Sequence, residues 1–225
     1  MEIPPPKTDY HKRLVSVLDS VAEESRLSGK KPGLLLHACC APCSSYVIEY
    51  LSEFFNITIY YYNPNIHPES EYRRRAGELA DFLPRFLPAV KNKIRLVEAE
   101  YNPQEFFDAT NARNETALQT EPERGERCRR CYELRIRKSF EYAAENDFDW
   151  FATTLSISPH KDAEKINQIG YTLDKVKDIK WLPADFKKNN GFLRSRNLSR
   201  EYGLYRQDYC GCVYSMRGDE NRGEA

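Results

Sequence analysis

Residues 33–43, GLLLHACCAPC, decide how the chain folds. A short unbroken apolar run opened by Gly33 is the pattern of a strand buried on both faces of a parallel sheet. Cysteines follow the run at once. SSYVIEYLSEFF (44–55) then takes up helical periodicity, with Ser44 or Ser45 as its expected cap. Strand, tight junction and helix recur along the rest of the chain. ITIYYY (57–62) is β-branched and aromatic and reads as the next strand. NPNIHP (63–68) is a turn cluster, and ESEYRRRAGELADFL (69–83) reads as a helix. IRLVEA (94–99) is a third strand, and PQEFFDATNARN (103–114) opens another helix. A polar linker, EPERGER (121–127), leads into the long helix CRRCYELRIRKSFEYAAEN (128–146). DWFATTL (149–155) is a fourth strand, SISPH (156–160) a loop, and KDAEKINQIGYTLDKV (161–176) a helix interrupted at Gly170. IKWLPADF (179–186) holds a fifth strand that ends near Pro183. Ahead of all this, Leu14, Val17, Leu18 and Val21 have the spacing of an amphipathic helix over 10–27.

Strands alternating with helices predict an α/β fold, a parallel sheet with helices on both faces. The expected organisation is an N-terminal helical extension over 1–30 and an α/β domain over 31–186 carrying CCAPC and the CxxC pair. A basic, cysteine-containing C-terminal segment over 187–225 packs on the same domain. In such sheets ligands bind outside the carboxyl ends of the strands, and CCAPC falls at that edge.

The chain has 225 residues, enough to bury a core without disulfide staples. Its 34 basic and 34 acidic residues give zero formal charge, which excludes a histone-like polycation but not a local basic face. With 40% apolar and 30% charged residues it is globular in composition. No stretch approaches the roughly 20 apolar residues of a membrane span, and MEIPPPKTDYHKR has no signal-like apolar core, so a cytoplasmic protein without a membrane partner is expected.

Seven cysteines fall into three groups, CCAPC (Cys39, Cys40, Cys43), CRRC (Cys128, Cys131) and CGC (Cys210, Cys212). Buried structural thiols explain one or two scattered cysteines, not three tight groups with none elsewhere. In a reducing compartment such grouping points to metal or redox chemistry. Cys128 and Cys131, three apart at a helix start, share one face, and the helix dipole favours their thiolates. Arg124, Arg127, Arg129 and Arg130 flank them and are expected to offset the charge of a thiolate-ligated group. Cys39 and Cys40 can converge where strand alternation lapses into the turn. Two plus two gives four thiolates, the number a [4Fe–4S] cluster or a structural zinc needs. Adjacent cysteines make a poor zinc knuckle, which favours iron–sulfur. Cys40 and Cys43 with Pro42 between them also form a thioredoxin-like CxxC, a reading that leaves four cysteines unexplained. Cys43 is the odd thiol: an extra ligand, a resolving thiol or a first-turn residue.

In Cys210-Gly211-Cys212 an extended backbone would hold the cysteines about 6.6–6.8 Å apart, the far limit for a disulfide. Gly211 permits a tighter fold, and a disulfide closing so small a loop is strained and easily reduced, as a redox couple requires. Further metal ligands are the alternative for the pair.

Lys187, Lys188, Arg194, Arg196, Arg200 and Arg206 face only Glu201 in their segment, and Arg124–Lys138 is equally basic, each net +5. A solvated face is the plain explanation of either. With Phe186, Phe192, Tyr202 and Tyr205 interleaved, and cysteines beside both, they suit a nucleic-acid backbone and unstacked bases. His37 reads as packed inside its strand, while His67 and His160 fall in loops at the functional edge. No GxxxxGK[ST] or GxGxxG phosphate loop is present.

Taken together, HACCAPCSSYV, YYYNPNIHPESEYRRR, RCRRCYELRI, TTLSISPHK and YRQDYCGCVYS resemble the QueH-type epoxyqueuosine reductases over residues 30–215, in the family's order. The resemblance implies a HUP or adenine-nucleotide-hydrolase-like sheet in which cysteines stand where relatives keep a phosphate loop. It implies reduction of epoxyqueuosine to queuosine at the tRNA wobble position, with a [4Fe–4S] cluster and no cobalamin. By position, Cys39, Cys40, Cys128 and Cys131 would hold the cluster, and Cys210 and Cys212 would be the redox-active pair. Some relatives carry an acidic residue at the position of Cys43, which implies a second metal, an additional mononuclear iron, on Cys43 and one or both CGC thiols. The implied partners are tRNA carrying epoxyqueuosine and an unidentified electron donor. The rival readings are a thiol–disulfide oxidoreductase using Cys40 and Cys43, and a zinc-stabilised RNA-binding protein.

Overall fold

The computed structural model describes residues 8–176 and 178–216. The Pro-rich opening and the end of the C-terminal segment, residues 1–7 and 217–225, lie outside the described residues, as does Lys177.

Five parallel strands form one sheet in the order β3-β2-β1-β4-β5: β1 Gly33–His37, β2 Asn56–Tyr61, β3 Arg95–Glu98, β4 Trp150–Thr153 and β5 Lys180–Trp181. β1 is central, pairing Leu35 with Thr58 of β2 on one side and Phe151 of β4 on the other. Both its faces are covered, as its continuous apolar run requires. Leu34 and Leu36 pack into a core with Leu14 and Leu18 of α1 (Tyr10–Ser28), Val47 and Ile48 of α2 (Ala41–Leu51), and Tyr72 and Leu79 of α3 (Glu69–Phe82). Leu198 of α8 (Gly191–Glu201) closes the same core, so the first and last helices both feed it. Leu35, alternating to the opposite face, packs with Tyr132 and Ile136 of α6 (Glu126–Glu145) and Ile166 of α7 (Ala163–Leu173). A short α4 (Leu87–Lys91) precedes β3, and α5 (Pro103–Thr110) packs on α6. The expected α/β sheet with helices on both faces is the architecture found. No helix among the described residues is long and apolar enough to cross a membrane.

Three local expectations are corrected. First, α2 starts at Ala41, so neither Ser44 nor Ser45 is its cap. Cys40 is the N-cap, Pro42 sits in the first turn, and the serine hydroxyls donate back to the Cys40 and Pro42 carbonyls at 2.8 and 2.9 Å. Secondly, α7 runs unbroken through Gly170, because a Cβ there would collide with the Trp181 indole. The glycine serves close helix–strand packing rather than a break. Thirdly, the helix expected over 69–83 ends at Phe82, and a 3-10 turn (Leu83–Arg85) and α4 follow, each with a proline in its first turn.

The strand order decides where function belongs. β1 lies between β2 and β4, and its following loop and helix run the opposite way from those after β4. The crevice between them is the switch point at which open α/β sheets bind ligands. CCAPC leaves β1 there, and SISPHK leaves β4 beside it.

Candidate metal centre

The sulfurs of Cys39, Cys40 and Cys43 all lie within 4.8 Å of one another, a donor set able to hold a metal ion. Cys39 ends the junction after β1, Cys40 caps α2 and Cys43 completes its first turn. That places all three at the positive end of the α2 dipole. Cys39 Sγ is 3.8 Å from Cys40 Sγ and 3.9 Å from the Thr154 hydroxyl. Hydrogen bonds from the Cys40 and Cys43 thiols, with the positive charge of Arg135, hold the Cys39 thiol well below its usual range. The charge on Cys39 in turn pushes Cys40 up to about 12 and Cys43 well above the ordinary thiol value. Gln207 Nε2 donates to Cys40 Sγ at 3.2 Å, tying the C-terminal segment to the triad.

The other two groups converge on the same edge by different routes. Cys131 is buried on α6 and packs with Cys212 and Phe106 of α5, and burial pushes these two thiols up to about 11 and about 12. Cys128, one turn earlier, lies half-buried against the cluster around Tyr132 that also receives Cys39. Cys210 lines an open cavity with Cys39, Cys43, Lys161 and Arg135, and the Lys161 ammonium donates to its sulfur at 2.8 Å. All seven thiols are free. The CGC turn is shaped by Gly211, whose φ of +107° favours glycine and whose carbonyl accepts from His67 N at 2.8 Å. Arg75 Nη1 donates to the Cys210 carbonyl at 3.1 Å, and its Nε pairs with Glu71 at 2.6 Å, so α3 anchors the turn. The tight triad thus joins Cys39 and Cys40 with Cys43; Cys210 shares the cavity with Cys39 and Cys43, and Cys131 packs with Cys212.

Of the arginines expected to offset thiolate charge, only Arg127 acts on a cysteine, weakly favouring the charged form of Cys212, and all four are engaged elsewhere. Arg124 donates to the Pro159 carbonyl and Arg127 to that of Leu118. Arg129 pairs with Glu126 and Glu133, and Arg130 with Glu115 and Glu126. Nor is the N-terminus of α6 reserved for thiolates. The Glu121 carboxylate accepts from the backbone N–H groups of Glu126 and Arg127 at 2.7 and 2.8 Å and answers the dipole itself. The cations at the thiols are instead Arg135, Lys161 and Arg75, all buried. Arg135 follows Cys131 by four residues and Cys128 by seven, a same-face spacing that the sequence displays. Nothing in the sequence marks Lys161 or Arg75 as buried.

His37 is fully buried, bonded to Thr153 Oγ1 at 2.8 Å and the Tyr62 carbonyl at 3.0 Å, a packed histidine as its strand position implied. His160 is exposed at the cavity mouth, and half-buried His67 packs on Phe107. Of the basic C-terminal side chains, Lys187 pairs with Asp185 at 2.6 Å and Arg194 with Glu49 at 2.5 Å. Lys188, Arg196, Arg200 and Arg206 are exposed with no ion-pair partner among the described residues, and Arg206 lies over the Phe192 ring.

Fold and site together define an α/β protein with a soft, three-sulfur site able to hold a metal at its sheet switch point. Three sulfur donors beside buried cations suit a thiophilic metal or a metal–sulfur group and are foreign to magnesium or calcium. The sequence profile described as Epoxyqueuosine reductase QueH matches residues 34–218. Relatives bearing the name Epoxyqueuosine reductase QueH include one from Streptococcus pyogenes serotype M1, 44% identical over 201 residues, 89% of this chain and 77% of the relative. One from Staphylococcus epidermidis is 39% identical over 93% of this chain and 85% of its own, and one from Thermotoga maritima is 31% identical over 81% and 90%. The chain belongs to the epoxyqueuosine reductase QueH family, a family of oxidoreductases.

Proposed function

We propose that this protein reduces epoxyqueuosine to queuosine at the wobble position of tRNA, closing queuosine synthesis. In this reading Cys39, Cys40, Cys128 and Cys131 hold a [4Fe–4S] cluster, and Cys210 and Cys212 are the redox-active pair. The observation that carries the reading is the meeting of three distant cysteine groups at one sheet edge in a member of this family. The cluster, when bound, supplies one-electron transfer and an iron able to polarise the epoxide oxygen.

The chain's own residues do the rest. The epoxide loses its oxygen as water and leaves an alkene, a change that consumes two electrons and two protons. Cys210 and Cys212 as a dithiol contribute both and become a disulfide, which an external electron donor must reduce. Lys161 keeps the Cys210 sulfur at the cavity, and Gly211 gives the turn the freedom that pairing the sulfurs requires. Cys43, the third sulfur of the triad, is assigned as ligand to an additional mononuclear iron. Lys187, Lys188, Arg194, Arg196, Arg200 and Arg206 are assigned to the tRNA phosphates, with Phe192 at the cavity wall as a stacking surface for an unstacked base. In this reading the protein acts on tRNA with its thiols kept reduced, which suits the cytoplasm.

Anaerobic purification with iron, sulfide and zinc analysis tests this reading, joined to mass spectrometry of nucleosides from treated tRNA. Iron with sulfide and loss of one oxygen from epoxyqueuosine support it. One zinc with no absorbing chromophore points to the RNA-binding alternative, and disulfide reduction without iron to the thiol oxidoreductase. Cys210→Ser is expected to keep the iron–sulfur chromophore and abolish turnover. Loss of both would make Cys210 a metal ligand.

A further inference from the structure

Among the described residues four cations are more than nine-tenths buried: Arg127, at 2% relative exposure, donates to the Leu118 and Gln119 carbonyls, and Arg75, Arg135 and Lys161, at 1%, 2% and 8%, lie beside the cysteines. Of these only Arg75 has a carboxylate within ion-pair distance among the described residues, Glu71. Arg135 Nη2 donates to the neutral Asn63 Oδ1 at 2.6 Å, and its Nε is buried with no partner. Lys161 has no carboxylate within ion-pair distance among the described residues, and its hydrogen bond goes to Cys210 Sγ. Burying a charge without a counter-charge is expensive, and removing one member of a buried pair more so. Two such cations in one small site signal that something anionic belongs between them. Further atoms beside the thiols are also unsatisfied: the Tyr132 hydroxyl and Gln207 Oε1, whose own Nε2 donates to Cys40. Buried polar atoms are ordinarily bonded, so this cluster of orphans marks the same place.

The thiols surround these charges. Arg135 stands on the face of α6 that carries Cys128 and Cys131 and feels Cys39 and Cys210 as well. Lys161 reaches in from the loop after β4, opposite α2. A [4Fe–4S]2+ core with four thiolates carries two net negative charges, which two unpaired cations balance.

We infer that Arg135 and Lys161 are positioning residues that balance the charge of the thiolate-held group and thereby raise its reduction potential. This rests on the cluster reading above and extends it to residues that touch neither iron nor sulfide as ligands. Reduction adds a negative charge, and fixed buried cations beside the group favour the reduced form. A cluster poised by buried cations accepts electrons more readily than one facing neutral side chains.

Reconstitution with iron and sulfide, followed by spectroscopic redox titration, provides the test. Lys161→Met and Arg135→Gln are expected to shift the midpoint to lower potential at unchanged iron and sulfide content. Lys161→Arg should titrate like the parent, and so should Arg129→Gln, whose arginine pairs with Glu126 and Glu133 instead. If the unsubstituted protein binds no iron–sulfide group, the cluster reading itself fails. If it binds one and both neutral variants titrate at the parent midpoint, the charge-balancing role is overturned while the cluster reading stands. Should Lys161→Met fail to load, a folded Lys161→Arg that loads supports the role, and one that does not overturns it.

Discussion

Gly211 turns the chain between two cysteines with φ of +107°, and a Cβ there would meet Ile66 Cγ1 at 2.9 Å and Arg75 Nη1 at 3.2 Å. An L side chain in that backbone region costs about 1–3 kcal/mol, and the contact adds to it. The turn lies at the edge of the sheet rather than in its core, so relief comes by lifting the CGC segment off Arg75 and Lys161. Gly211→Ala is therefore expected to lower the melting temperature by a few degrees at most and to cost at least about tenfold in epoxide reduction. An activity equal to the parent's would show that the seating of this turn is immaterial. At this scale the cysteines were legible because they are few and grouped. The cations that serve them were not. Arginines at 124, 127, 129 and 130 look better placed in sequence than Arg135, yet glutamates and backbone carbonyls capture them. One-letter spacing carries the helical face of Arg135 but not its burial, which depends on Asn63 arriving from the loop after β2.

Among the elements, α6 best separates what periodicity reveals from what it conceals. Its length and apolar face were plain, but its start was displaced by two residues, and its cap came from Glu121, outside the helix. Such a distant cap leaves no trace in a local pattern. Glu126 follows at the first position, and its carboxyl is held down to about 2, from the usual 4.5, by hydrogen bonds from Arg129 and then Arg130. The folded value lies below the unfolded one, so the stabilisation is complete above pH 4.5 and disappears as pH falls through 2. The side chains are more than a third exposed, which limits the gain to under about 1 kcal/mol. Glu126→Gln is expected to lower the urea midpoint slightly at pH 7, with the gap closing as the pH is lowered from 4.5 towards 2. A gap that stays constant through this interval would assign the difference to something other than the ion pairs. The same contrast between pattern and packing explains α7: Gly170 looks like a break in sequence, and only the presence of the Trp181 indole shows why the helix needs it.

For the molecule as a whole, alternation of strands and helices announced a parallel sheet, but not the order in which its strands lie. That order puts the loops after β1 and β4 side by side, and so brings Cys39 and Cys43 to the cavity shared by Lys161 and Cys210. No run of residues encodes that adjacency, because it depends on which strands pair. The family resemblance carried the reading across the gap. The basic surface shows the same limit, since six cations of one segment look alike in sequence but are not equally available in space. Phosphate contacts release counterions, so each cation that engages tRNA contributes about one unit to the slope of log affinity against log salt. Lys187 and Arg194 must first leave Asp185 and Glu49, whereas Lys188, Arg196, Arg200 and Arg206 have no such attachment among the described residues. Single substitutions to glutamine at the latter four positions are expected to weaken tRNA binding several-fold and reduce the slope by about one each. Lys187→Gln and Arg194→Gln should change it by clearly less. Binding measured across a salt series separates the two groups, and equal slopes for all six variants would show that the ion pairs open at no cost to the complex. An unchanged slope in a protein lacking all four unpaired cations would place the tRNA on another face of the sheet.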